Sequence, residues 1–316
     1  MSMIYKGDVV ESELSKNSKG GTEMMRQRLL DRAEPELLKH FAVHFSRPRE
    51  IPEDVKNILY CHDLAEDPEN QILKDGGHEK FDHFVFVSAW QRDQYIRLYG
   101  IPYSKSCVIP NAVEKRFEAK DKPTDTIRFI YHTTPHRGLE LLYPAFDALS
   151  QQYDNIHLDV YSSFAIYGWV QRDEPYNDLF RQIHEHPKMS YHGSVPNDQV
   201  LKALDDAHIF LYPCIWPETS CIALIEAIKS GVVCIHPNFG ALPETAANAT
   251  IMYDMHENAQ EHANLAYAIG KSVLEHQKND PTFITRFTRS DRFGLAPNDI
   301  NTFQNLWNKL MRDLLK

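Results

Sequence analysis

The stretch PETSCIALIEA, residues 217–227, decides how this chain is read. It sets Glu218 and Glu226 eight positions apart, ahead of Gly231 and the apolar run Val232-Val233-Cys234-Ile235. A short helix between a loop and a strand is the expected local structure. Glu218 falls in the loop before it, with Thr219 or Ser220 as the cap. At about 100° per residue, the second carboxylate returns to within about 80° of the first. Two carboxylates so placed can grip hydroxyls on one elongated ligand. The helix N-terminus between them, with its free N–H groups and dipole, favours a phosphate. A nucleotide sugar, with hydroxylated rings on both sides of its phosphates, has that layout. The plainer reading stands beside it, because two glutamates at this spacing also occur on solvated helix faces. Glu226, however, lies among Ile222, Ala223, Leu224, Ile225, Ala227 and Ile228, and a carboxylate buried there needs a partner.

Outward from this stretch, short apolar strand signals alternate with helical patterns, which argues for parallel sheets with helices on both faces. In the first half, helices are expected at Glu23–Lys39 and Trp90–Tyr99, the second stopped by Gly100. Strands are expected at Phe41–Phe45, Val55–Cys61, Asp82–Val87 and Ser106–Ile109. Pro110-Asn111 breaks the pattern, and the polar stretch Glu114–Asp125 reads as a linker. In the second half, strands are expected at Ile127–His132, His157–Tyr161, Met189–His192, Ala207–Tyr212 and Val232–His236. Helices fall between and after them, the longest at Ala259–His276. Ile300, Phe303, Leu306, Trp307, Leu310, Met311 and Leu314 recur at helical spacing, so the terminal segment should pack its apolar face on the body. No internal repeat or low-complexity stretch stands out. The expected division is 1–113, 114–295 and a terminal helix in 296–316.

With 316 residues there is ample length for one large or two medium domains. A composition 42% hydrophobic and 25% charged is that of an ordinary globular protein. The formal charge of −10 argues against general nucleic-acid binding. No apolar run reaches the length of a membrane span, and the polar N-terminus lacks a signal-peptide core. Five cysteines without metal-like spacing read as reduced thiols, which suggests a cytoplasmic setting. Sixteen histidines raise the question of a metal. His132 and His136 have i, i+4 spacing, but Pro135 and the adjacent threonines favour a loop, and neither this pair nor His184/His186 has a convincing third ligand. Asp-x-Asp, the usual cation holder of metal-dependent sugar transferases, does not occur. No metal and no cofactor are expected.

Taken together, these residues resemble family 4 of the retaining glycosyltransferases. The resemblance implies an α/β protein of GT-B fold, with two Rossmann-like domains facing across a cleft and a C-terminal helix returning to the N-terminal domain. Segments match in order from about Gly20 to Gly240. Gly20-Gly21-Thr22-Glu23 is similar to the family's glycine loop opening the first helix, where backbone N–H groups approach a phosphate or acceptor. ILYCHD (58–63) resembles the His-Asp position, which implies that His62 contacts the transferred sugar. FVSAWQRDQYIRLYGIP (86–102) and VIPNAV (108–113) match the segment before the interdomain linker, with structural roles for Ser88, Trp90 and Asn111. Ala112 replaces the usual glycine after that asparagine.

IYHTTPHRGLELLYPAF (130–146) is similar to the diphosphate-binding segment, where two basic residues commonly serve. Arg137 takes that role here, with Thr133 and Thr134 among the donor-binding residues and His132 in the earlier part. Arg47 or Arg92, in the first half, are candidates for the second positive contact. YSSFAIYGW (161–169) stands where a glycine-rich turn is usual, so Ser162 or Tyr167 is expected to line the cleft. The backbone around Gly193 and Val195 is implied to bracket the base. Glu218 and Glu226 fall on the family's paired glutamates, implying contacts to the donor sugar and the ribose. Ser220, Cys221, Ile222 and Ala223 would meet sugar and phosphate through their backbone. The N-terminal half is short for the family, with only Met3–Tyr5 apolar where the first strand belongs.

The implied reaction is transfer of a hexose from a nucleotide diphosphate sugar to a hydroxyl of a glycan, lipid or other acceptor, with retention and without metal. His62, Arg137 and Glu218 are the expected catalytic residues, and a peripheral membrane contact is compatible with a lipid acceptor. The rival readings are an epimerase or phosphorylase of the same architecture, a DNA-modifying transferase, and a catalytically silent binding protein.

Overall fold

The computed structural model describes residues 3–5, 8–10, 20–48, 50–114, 122–289 and 298–316. The polar stretch Glu11–Lys19 and most of the expected linker, 115–121, lie outside the described residues. The chain divides into two compact units: Met1–Glu114 with Ala296–Lys316, and Lys115–Leu295.

The first unit runs β1 (Met3–Tyr5), β2 (Asp8–Val10), α1 (Gly21–Arg32), α2 (Pro35–Leu38), β3 (Phe41–Phe45), β4 (Lys56–Cys61), β5 (His83–Phe86), α3 (Ala89–Tyr99) and β6 (Ser106–Val108). Its sheet has the order β2-β1-β3-β4-β5-β6. β3 to β6 are parallel, whereas β1 pairs antiparallel with both β2 and β3. The short first strand therefore joins as part of an antiparallel edge. β3 and β5 are buried along their whole length, and only Lys56 of β4 is exposed. That is the pattern of strands covered on both faces, and it explains their continuous apolar sequence.

The single helix expected at Glu23–Lys39 is two. Ala33 and Glu34 are extended, because Pro35 disfavours helical geometry in the residue before it, and Pro35 then opens α2. α3 begins as expected, with Ser88 Oγ accepting from the Gln91 amide at 3.0 Å. It ends at Gly100, in the left-handed region with φ +70°.

The second unit runs β7 (Ile127–Tyr131), α4 (Leu139–Ser150), β8 (Ile156–Val160), α5 (Asn177–Glu185), β9 (Met189–Tyr191), α6 (Asn197–Asp206), β10 (Ile209–Leu211), α7 (Ile222–Lys229), β11 (Val233–Pro237), α8 (Leu242–Ala246), β12 (Ile251–Tyr253), α9 (Ala259–Asn279) and α10 (Phe283–Arg289). The last strand, β12, is only three residues long and was not anticipated. The sheet is parallel throughout, in the order β12-β11-β10-β7-β8-β9. Counted from β7, this is the doubly wound order, and its direction reverses between β7 and β10. Loops leaving those two strands at their carboxyl ends open a crevice, the usual ligand position in such sheets.

α11 (Ile300–Leu314) belongs to the first unit. Phe303, Trp307 and Met311, one turn apart, are fully buried there. Each such side chain stabilises by roughly 1.5–3 kcal/mol relative to exposure. Trp307 meets Tyr60 of β4 edge-on at 5.0 Å, and Asn308 accepts from the Glu34 amide at 3.0 Å. Ahead of α11, the Asn298 side chain donates to the Asn111 carbonyl at 2.7 Å, so Asn111 ties the end of one segment to the start of another. Among the described residues no helix is long and apolar enough to cross a membrane.

Candidate active site at the switch point of the second sheet

Three loops of the second unit converge at the carboxyl ends of β7, β10 and β11. At the end of β7, the Tyr131 hydroxyl donates to the Thr134 carbonyl at 3.0 Å, turning the chain into a short 3₁₀ segment, Pro135–Arg137. His132 lies in the expected loop, whereas His136 sits in this single 3₁₀ turn and not in an α-helix. Gly138 follows with φ +120°, and a Cβ there would lie 2.1 Å from the Pro213 carbonyl oxygen, so the loops after β7 and β10 can close only on glycine. Gly240, after β11, is held the same way: its Cβ would stand 2.7 Å from the Glu218 amide nitrogen. The Ala241 amide donates to the Glu218 carbonyl at 2.7 Å. Glu218 is thereby fixed by backbone on both sides.

Its side chain is only 4% exposed. Oε1 accepts from Arg137 Nη1 and, at 2.7 Å, from the Tyr212 hydroxyl. Tyr212 is itself rigid, fully buried and stacked on Phe210 at 5.0 Å. Burial works against the Arg137 charge, but Glu218, together with Tyr167, Tyr212 and Cys221, holds the guanidinium pKa well above its ordinary value. Arg137 and Glu218 therefore form one charge-neutral pair at the base of the crevice. Arg137 Nε is buried without a partner.

α7 starts one residue later than expected. Its cap is Cys221, whose Sγ accepts from the Leu224 amide at 3.4 Å, and not Thr219 or Ser220. Glu218 lies outside the helix altogether, so the 80° relation to Glu226 does not describe this site; loop geometry sets their separation. Ile225 N–H goes to the Cys221 carbonyl. The amides of Ile222 and Ala223 occupy the first turn, which has no intrahelical acceptor for them. Glu226 is 3% exposed and is met by Asn197 Nδ2, the first residue of α6, at 3.2 and 3.4 Å. The buried carboxylate thus has the partner its apolar surroundings demanded. Gly193, φ +65°, and Val195 lie in the loop from β9 to α6, just before Asn197.

Unpaired polar atoms concentrate at this end of the sheet. Among the described residues of the second unit, six buried side-chain atoms lack a hydrogen-bond partner: Arg128 Nε, His132 Nδ1, Thr134 Oγ1, His136 Nδ1, Arg137 Nε and Ser162 Oγ. All but Arg128 belong to the loops that follow β7 and β8. Thr134 and Ser162 are 4% and 1% exposed, so solvent does not satisfy them. Orphaned buried polar groups are rare in folded proteins, and a ligand with its own donors and acceptors would satisfy these. Around the rim, His136 stacks on Phe164 at 5.1 Å and meets Trp216 edge-on at 5.0 Å. Tyr167 lies close enough to Arg137 to affect its charge. Thr133 and Ser220 are half-buried in these loops, and Ala223 is half-buried in the first turn of α7.

The remaining expected residues belong to the first unit. Gly20 caps α1 without a side chain, and Gly21 is its first residue. The His62 amide donates to Ser46 Oγ at 2.8 Å, and its ring lies 4.2 Å from that of Tyr60. Burial pushes its pKa down to about 3. Arg47 is held by Asp63 at 3.0 Å and Asp67 at 3.3 Å. Arg92 lies over the Tyr103 ring at 4.5 Å, with Asp93 3.7 Å away. Both arginines are therefore engaged within their own unit. A cavity of about 700 Å³ also lies in this unit, at the amino-terminal ends of β4 and β5, lined by Pro52, Asp54, Lys56, Asn57, Lys80 and Asp82. Its charges are mixed, and Asn57 turns its amide to the Pro52 and Val55 carbonyls, so it offers less chemistry than the crevice. Among the described residues no group of three or more His, Cys, Asp or Glu is placed to hold a metal.

Sequence reasoning missed Tyr212 and Asn197, the partners of the two glutamates. A Tyr-Pro after an apolar run and an Asn after a proline are ordinary strand-end and helix-start signals, and neither announces a contact.

The two α/β units and the doubly wound second sheet define a GT-B protein. Residues 111–279, more than half of the chain, match the family described as Glycosyl transferases group 1, and the chain belongs to that family. One component of the phosphatidylinositol N-acetylglucosaminyltransferase of Arabidopsis thaliana is 27% identical over 168 residues, covering 52% of this chain and 36% of that protein. The chain thus spans about a third of the length of the curated relatives it matches. Among solved structures, a glycosyltransferase from Rickettsia africae superimposes with a TM-score of 0.64 at 15% identity, covering 96% of this chain and 85% of that one. HepE of Anabaena in complex with UDP-glucose gives 0.58 at 14% identity, covering 83% and 72%.

Proposed function

We propose that this protein is a retaining, metal-independent glycosyltransferase that moves a hexose from a nucleotide diphosphate sugar to a hydroxyl of a glycan, lipid or other acceptor. The observation that carries this reading is the cluster of unpaired buried polar atoms around the Arg137–Glu218 pair, beside the open first turn of α7. Breaking the bond from the anomeric carbon to the donor's phosphate oxygen leaves negative charge on the diphosphate and positive charge on the ring. Arg137, with its unpartnered Nε, and the α7 amides stabilise the leaving diphosphate. Glu218, oriented by Tyr212, holds sugar hydroxyls, and Glu226 with Asn197 holds the ribose. In the first unit, His62 positions the sugar, and the amides around Gly20 and Gly21 approach a phosphate or the acceptor. The acceptor's proton passes to a donor phosphate oxygen on the face it attacks from. A cytoplasmic setting accords with the five free cysteines, and a lipid acceptor would bring the protein to a membrane surface without insertion.

A thermal-shift panel of nucleotide sugars in EDTA tests the reading, and needs no acceptor. It includes UDP-N-acetylglucosamine and UDP-glucose, the sugars suggested by the relative's name and by the HepE complex. A ligand at about 100 times its dissociation constant adds roughly 2.7 kcal/mol. One donor should raise Tm in wild type and fail to do so in Arg137→Ala. If no donor shifts the wild type, the reading falls, and a silent binding protein of the same fold takes its place. With the donor known, the anomeric proton coupling of the product tests retention, and an inverted product ends that part of the proposal.

A further inference from the structure

The loop after β7 presents one atom that a diphosphate cannot satisfy. His132 Nε2 lies 3.0 Å from the Ala223 carbonyl oxygen, in the first turn of α7. A carbonyl only accepts, so Nε2 carries the proton. The ring packs against Phe210, 4.7 Å between centroids. Burial pushes the imidazole pKa down to about 4, more than the Ala223 carbonyl raises it, so the ring is neutral at pH 7. Nδ1 then keeps a lone pair, and it is buried without a hydrogen-bond partner. Phosphate oxygens are acceptors as well and would face Nδ1 lone pair to lone pair. Whatever meets Nδ1 has to donate a hydrogen.

We propose that His132 is a specificity-determining residue of the donor site, its Nδ1 accepting a hydrogen bond from a hydroxyl of the transferred sugar. The proposal rests on the donor-site reading above. The sugar is favoured over the ribose by position. His132 shares its loop with Arg137, which holds Glu218, the carboxylate assigned to the sugar. Glu226, assigned to the ribose, lies nearly a turn farther along α7, against Asn197. A buried acceptor of this kind discriminates by being left unpaired, because a sugar lacking that hydroxyl strands both Nδ1 and its desolvation cost.

Two substitutions separate the ring nitrogens. His132→Asn sets an amide oxygen close to the place of Nδ1, keeping the acceptor and losing the reach to Ala223. His132→Gln reaches toward Ala223 and loses the acceptor. Affinities are measured by calorimetry for UDP, GDP, ADP and dTDP, each alone and as its glucose and N-acetylglucosamine derivatives. The expected result is that H132Q binds the nucleotide sugar roughly 10–100-fold more weakly than wild type, while its affinity for the bare diphosphate stays within about threefold. H132N should track wild type on both ligands.

Equal weakening of diphosphate and nucleotide sugar in H132Q overturns the proposal and points to the ribose or to a structural role. So does loss in H132N with retention in H132Q. A wild type that binds no nucleotide removes the donor-site reading itself and this inference with it. Should either variant fail to fold, ¹⁵N-histidine spectra of the wild type decide. The unprotonated Nδ1 resonance should move on saturation with the nucleotide sugar and hold still with the diphosphate alone. A resonance indifferent to the sugar refutes the proposal.

Discussion

The loop that follows β4 sets Asp63 and Asp67 against Arg47, which comes from the loop after β3, whereas the loop that follows β7 sets Arg137 against Glu218, which comes from the loop after β10. They are put to different uses. Arg47 faces two carboxylates, Asp63 and Asp67, and the backbone of that loop is tied down by Asn70, Gln91 and Tyr95. Burial raises the Asp63 pKa even with Arg47 beside it. Arg137 faces a single carboxylate, already shared with Tyr212, and its neighbours His132, Thr134 and His136 keep valences unused. One arginine is satisfied within its own unit, and the other keeps its Nε without a partner.

The comparison would break most visibly at Arg137. Arg137→Ala should lower kcat/KM for the donor on the order of 10²–10³-fold, and should also lower unfolding stability by about 3 kcal/mol, because Glu218 stays buried and loses its cation. An activity within a few-fold of wild type would return this arginine to the structural class. Arg47→Met should lower unfolding stability alone, by about 2 kcal/mol, because Asp63 loses its cation, and should leave nucleotide affinity unchanged. A fall in nucleotide affinity without a loss of stability would erase the distinction.

Next in size is the response to acid, which the two units should share. Burial pushes His62 down to about 3 and His132 and His236 to about 4. In the unfolded chain these histidines take up protons near pH 6.5, whereas the folded protein resists until about pH 4. Stability is therefore complete above pH 6.5 and falls as the pH drops toward 4, by about 1.4 kcal/mol per pH unit for each such histidine. Chemical denaturation at pH 7 and pH 5 reads this directly, and equal stability at both would contradict it. Glu226→Gln keeps a group for Asn197 to meet but gives up the charge, and should weaken nucleotide binding by about tenfold in calorimetry. The smallest effect is expected at Cys221→Ala, which removes the α7 cap at a cost of about 0.5–1 kcal/mol in thermal unfolding. A larger loss there would mean that Sγ does more than cap.

Much of the architecture was legible because its signals are local. Buried parallel strands read as continuous apolar runs, and β3, β4, β5, β7 and β10 follow them closely. The α11 stripe of Phe303, Trp307 and Met311 announced a packed helix. Pro35 was equally visible, and its effect on Ala33 and Glu34 is a simple steric one. β12 and the antiparallel edge formed by β1 and β2 were not legible. A three-residue strand is defined by the neighbour it pairs with more than by its own sequence. Glu218 and Glu226 stood out by spacing, yet the spacing misled in one respect. Helical arithmetic does not extend to a residue held in a loop by Gly240 and Ala241.

Periodicity, turn chemistry and ordered motifs are written in neighbouring residues; they were enough for the α/β alternation and the family, and they singled out the paired glutamates and Arg137 as candidates. Only the folded chain reveals that Arg137 lies on Glu218, that Tyr212 and Asn197 hold the two carboxylates, and that His132 is left with one unsatisfied nitrogen. Those facts depend on loops from different strands meeting at one end of a sheet. Burial there sets which polar atoms find partners, and no local pattern records it.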